Sequence, residues 1–130
     1  MKTYSHPAIG DVPLYAVMQA MSDPCRLAIV HELLREKGRA LACNEVRLDV
    51  SKATRSHHFE VLRAAGIIFT EMNGTKCMTS LRRKDLDKRF PGLLTLISAR
   101  KKDAANYKAA GNDGKTFGLT VPEGVRERDW

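Results

Sequence analysis

The hydrophobic pattern of this 130-residue chain changes period once, and that change confines the fold. Up to Gly66 the apolar residues recur at helical spacing. From Ile67 to Met72 and from Thr75 to Leu81 they form two strand-like runs around Asn73-Gly74, the dipeptide most typical of a two-residue type I′ hairpin. The reading is therefore a mainly α chain with a small β-hairpin.

Before the switch, Val12 to Met21 places Leu14, Val17, Met18 and Met21 on one face of a short first helix. Asp23-Pro24, a capping residue followed by proline at the first helical position, starts a second helix that runs to about Lys37 and stops at Gly38. Leu41, Ala42, Val46, Leu48 and Val50 suit a short third helix within 39–50. Ser51 is an N-cap for a fourth helix, Lys52 to Ala65, closed by Gly66, with Phe59 and Leu62 inward. Two short helices around a tight connection suggest helix-turn-helix. After the hairpin, Lys84 to Lys102 reads as helical, with Pro91-Gly92 kinking it or dividing it in two. Residues 103–130 gather glycines and lose periodicity, the pattern of a loosely ordered tail or one packed on a dimer, so the expected organisation is a domain over 1–102 and a tail over 103–130.

Charge agrees with this division. There are 22 Lys plus Arg against 15 Asp plus Glu, a net +7. Residues 1–102 carry 18 basic and 10 acidic side chains, a net +8, and 103–130 carry 4 and 5. A basic excess confined to the patterned part suits a partner made of phosphates. The longest apolar run, Ala64 to Phe69, is far short of the roughly 18 to 20 residues of a membrane span, and the first residues lack a secretory apolar core, so a cytoplasmic location is expected.

Helix-turn-helix followed by a hairpin is the winged-helix arrangement. Met21-Ser22-Asp23-Pro24-Cys25-Arg26-Leu27 and the run from Ser51 through Ser56-His57-His58-Phe59-Glu60-Val61-Leu62-Arg63-Ala64-Ala65-Gly66 to Ile68 resemble the ArsR/SmtB family of bacterial transcriptional repressors, over roughly residues 12 to 100. The resemblance implies a winged-helix homodimer, joined through its first and last helices, that binds a palindromic DNA operator and releases it on a signal.

A recognition helix must offer hydrogen-bonding side chains to base edges and phosphates from its first turns. Lys52, Thr54, Arg55, Ser56 and His57 supply them in one run, and Lys52, Ala53, Ser56, His57 and Glu60 cluster opposite Phe59 and Leu62. Arg55 falls near the inner stripe, where the family usually has an aliphatic residue, and His58 reads as a structural histidine. Asn73, Thr75 and Lys76 stand at the hairpin tip, where wings of related proteins approach DNA; for Lys76, contact and plain solvation are both open.

Three cysteines, at 25, 43 and 77, make no disulfide framework, so reduced thiols are the expectation. Soft-metal sites need converging thiolates, and the family's Cys-x-Cys pair is replaced by Ala42-Cys43-Asn44; residues 84–102 hold no histidine for the family's other site. No metal or cofactor is expected. Cys25 and Cys43 are a candidate redox or thiophilic-metal pair, with inert buried thiols as the simpler reading. Ala109 to Thr116 matches a permissive phosphate-loop pattern but lacks the preceding strand and following helix that such a loop requires. No nucleophile with an ordered base is evident, and the chain reads as a non-enzyme. The alternative from another class is a winged-helix module for protein or RNA contacts, against which the run Lys52 to His57 argues.

Overall fold

The computed structural model describes residues 3–46, 48 and 50–100; the expectations for 103–130, including the phosphate-loop pattern, lie outside the described residues. A 3-10 turn at Ile9–Asp11 leads into helix α1 (Leu14–Met21). The helix begins two residues later than its apolar pattern because Val12 precedes Pro13, and the proline ring disfavours helical backbone in the residue before it; Val12 and Pro13 are both extended. Helix α2 (Pro24–Arg35) starts as its sequence dictates, with the Asp23 carboxylate accepting the backbone N–H groups of Cys25 and Arg26 at 2.8 and 3.1 Å. It ends at Arg35 rather than Lys37, since Lys37 and Gly38 both take positive φ.

Among the described residues of 39–50 the expected third helix is not formed. Leu41–Ala42 is instead a two-residue strand, β1, and Cys43 to Glu45 make a turn. The Glu45 side chain accepts the Ala42 N–H, the Glu45 N–H donates to the Ala42 carbonyl, and Val46 is fully buried just beyond. A short apolar run does not distinguish strand from helix by period alone, and here a sheet edge captures it. The recognition segment is thus preceded by a strand and a turn.

Helix α3 (Lys52–Ala64) follows the Ser51 cap, whose hydroxyl accepts the Thr54 N–H at 3.1 Å. It closes on Gly66 (φ +73°), with the Gly66 N–H donating to the Arg63 carbonyl and the Ile67 N–H to the Leu62 carbonyl, the paired bonds of a Schellman cap. Strands β2 (Ile68–Asn73) and β3 (Lys76–Leu81) form the antiparallel hairpin, and β1 adds to its far side in the order β1-β3-β2. Asn73 pairs with Lys76, so the loop is Gly74-Thr75, one residue later than the dipeptide suggests. Gly74 alone has positive φ, the pattern of a type II′ turn, which needs glycine only at the first loop position.

Pro91-Gly92 divides the last helical segment into α4 (Arg83–Arg89) and α5 (Leu93–Ala99), Gly92 taking φ +88° at the junction. Val17, Ile29, Leu33, Leu62, Ile67, Ile68 and Leu86 are the centre of one core shared by helices and hairpin. Among the described residues no helix is long and apolar enough to cross a membrane.

Candidate nucleic-acid interface

Core packing decides which way α3 faces. Phe59 and Leu62 are buried, and Lys52, Ala53, Ser56, His57 and Glu60 are exposed on the opposite side. A hydrogen-bonded joint to α2 fixes the helix further. Arg26 donates through Nε to the Ala20 carbonyl at the end of α1 (2.6 Å), while its Nη1 lies 3.1 Å from His58 Nδ1. Accepting this guanidinium requires a neutral Nδ1. Burial lowers the His58 pKa, Asp23 opposes that shift, and Arg26 and His57 add to it. His58 is therefore a structural histidine that seats the recognition helix. Its direction was legible from helical spacing; its partner, 32 residues away, was not.

The expected DNA-facing residues fall on two elements. Lys52, Thr54, Ser56 and His57 are exposed in the first two turns of α3, where the Thr54 hydroxyl oxygen accepts a bond from Ser51 at 2.9 Å. Asn73 and Lys76 are exposed and face each other across the hairpin tip. Arg55 stands apart, half-buried, with an Nε that is shielded from solvent and has no hydrogen-bond partner among the described residues.

Beneath the exposed face lies a cavity of about 290 Å³ bordered by Lys52, Arg55 and Ser56 of α3, Arg63 two turns further on, Tyr4, Cys43 and Cys77. Those two cysteines are joined as a disulfide, with Cα atoms 5.5 Å apart. This overturns two expectations. The thiols are not all reduced, and Cys43 meets Cys77 rather than Cys25. The cause is β1: Leu41 and Ala42 pair with Thr79 and Met78, so the next residue arrives opposite Cys77, and the Cys43 N–H donates to the Cys77 carbonyl at 2.8 Å.

Cys25 carries no disulfide and is buried in the first turn of α2. Asp23, Cys25 and His58 present potential ligand atoms within 4.8 Å of one another. The Asp23 carboxylate already caps α2, and the fixed positive charge of Arg26 sits against His58, so the cluster suits a helix joint better than a cation.

A basic, outward-facing helix wedged against a hairpin defines the winged-helix class of DNA-binding folds. Comparison with known proteins agrees. No family model matches the chain. YceK of Bacillus subtilis (strain 168), an HTH-type transcriptional regulator, is 36% identical over 83 residues, which span 62% of this chain and 82% of YceK. The solved structure of an ArsR-like transcriptional regulator from Rhodococcus sp. RHA1 superimposes with a TM-score of 0.52, covering 77% of this chain and 93% of the other at 24% identity. The chain belongs to the helix-turn-helix transcriptional regulators, and its winged helix is of the ArsR type.

Proposed function

We propose that the protein is a cytoplasmic repressor that acts by binding DNA rather than by catalysis, as a homodimer on a palindromic operator. The observation that carries this reading is the orientation of α3: its polar and basic residues are turned outward by a buried Phe59, Leu62 and His58 behind them. Lys52, Thr54, Ser56 and His57 read a half-site, Arg55 reaches a phosphate from the helix edge, and Asn73 and Lys76 add wing contacts to the backbone. Two subunits meet half-sites about 34 Å apart, one helical turn of DNA. The basic excess within residues 1–102 supports a phosphate-binding unit there.

A gel-shift panel tests the proposal. The protein is expected to bind a palindrome from the region upstream of its own gene more tightly than random DNA, with an affinity that falls steeply with salt. Lys52→Ala should flatten the salt slope by about 1 and leave the thermal midpoint within a few degrees of wild type. Equal affinity for palindromic and random duplexes would refute sequence-specific repression.

A further inference from the structure

The cavity under α3 combines two sulfurs with three cationic side chains, and no carboxylate borders it among the described residues. Its volume, about 290 Å³, falls just below the range of small-molecule sites, about 300 to 1,000 Å³, and suits a small ligand. Cys43 and Cys77 are only half-buried, and both border the cavity. Arg55 holds at the wall a shielded Nε with no partner among the described residues, and a buried donor without an acceptor carries a cost that an anionic ligand would remove. The Arg63 guanidinium lies 4.5 Å from the centre of the Tyr4 ring, and the Tyr4 hydroxyl is 3.7 Å from Cys77 Sγ.

We propose that this cavity is a thiol–disulfide exchange site for low-molecular-weight thiols that carry carboxylates, with Arg55, Arg63 and Lys52 binding the carboxylates and Cys43–Cys77 as the reacting bond. The bound thiolate attacks Cys43 Sγ. A sulfur–sulfur bond forms between ligand and Cys43, the Cys43–Cys77 bond breaks, and Cys77 leaves as a thiolate stabilised by the Tyr4 hydroxyl and the nearby cations. A second ligand thiolate attacks the mixed disulfide at the ligand sulfur and expels the Cys43 thiolate. Two protons from solvent complete the dithiol. Two ligand thiols are oxidised to one ligand disulfide, and the protein disulfide gains two electrons. The reverse sequence closes the bond again when the ligand disulfide is in excess.

The test uses the full-length oxidised chain, with mercaptosuccinate as the anionic probe and cysteamine as the cationic one at equal thiolate concentration. Opening is followed by alkylation and intact mass. Each rate is divided by the rate of the same thiol on the urea-unfolded chain, which cancels intrinsic nucleophilicity. Mercaptosuccinate is expected to lead by about tenfold or more, the enrichment that a cleft of one charge sign gives a counter-ion. The advantage should shrink toward unity in Arg55→Ala and in Arg63→Gln, each verified as folded by circular dichroism, and should also shrink for the wild type in high salt, which needs no variant. Peptide mapping of an acid-quenched reaction should find the mixed disulfide on Cys43. Equal normalised rates, an advantage untouched by both variants and by salt, or a chain that diamide cannot bring to a Cys43–Cys77 bond would each overturn the site; a mixed disulfide on Cys77 would overturn the assigned leaving group. None of these readouts involves DNA, so the site can fail while the repressor reading stands, and the reverse.

Discussion

Gly66 shows how much a single position controls, because it both ends the recognition helix and starts the wing. Its φ of +73° lies in the left-handed region, and a Cβ built there meets Val12 Cγ2 at 3.0 Å and Ile9 Cδ1 at 3.2 Å. Gly66→Ala therefore combines backbone strain with a crowded neighbour, and a loss of about 1–3 kcal/mol is expected. Urea denaturation checks this: the midpoint should fall with the slope unchanged. The glycine was legible in the sequence, as were the Asp23-Pro24 and Ser51 starts, because each acts through its own backbone neighbourhood. Arg26 was not, since its hydrogen bonds to Ala20 and His58 exist only once three helices have packed. Arg55 lies between these cases: helical spacing placed it at the edge of the inner stripe, and only the packed structure shows its shielded Nε.

Among the elements, the recognition helix and the hairpin were readable because each has a period and an end signal. The segment 39–50 was misread because its strand is two residues long and exists through its partner, Leu41 opposite Thr79 and Ala42 opposite Met78. That one misreading also hid the Cys43–Cys77 pair and the cavity beside it. The two elements proposed to face DNA should differ in what they contribute. In the proposed complex His57, exposed in the second turn of α3, would reach base edges, whereas Lys76, exposed at the hairpin tip, would meet phosphates. His57→Ala is expected to narrow the gap between operator and random DNA by about 1–3 kcal/mol, the worth of a base contact. Lys76→Ala should instead weaken both duplexes alike and reduce the salt slope by about 1. Fluorescence anisotropy on both duplexes across a salt series separates the two patterns; equal behaviour of the two variants would contradict this division of labour.

At the scale of the molecule, most of the large apolar side chains that the core leaves exposed among the described residues lie on α1 and α5, the two helices that pack on α2. Tyr15 and Met18 of α1 are 75% and 51% exposed, Leu14 of the same helix is 52% exposed, and Leu96 of α5 is 62% exposed. Isolated exposed apolar residues are ordinary, but three on an eight-residue helix are a patch, and a patch of this kind on a small domain marks a contact surface. A two-fold dimer uses the same patch on both subunits, and two linked reading heads bind a palindrome far more tightly than one. Burying Tyr15 and Met18 against their symmetry mates would join α1 to α1 and leave α3 free on each subunit. The double variant Tyr15→Glu, Met18→Glu places carboxylates in that patch without touching the buried Val17 and Ala20 on the other face of α1, so the fold should persist. Sedimentation velocity is expected to show a dimer for the wild type and a monomer for this variant. Affinity for the full palindrome should drop by about 10²–10⁴-fold, toward the half-site value, because the loss is one of avidity and not of contacts. Half-site affinity itself should not change. If the variant still sediments as a dimer, the subunits meet elsewhere; if half-site binding falls as well, α1 supports the recognition helix directly and the two functions are not separable.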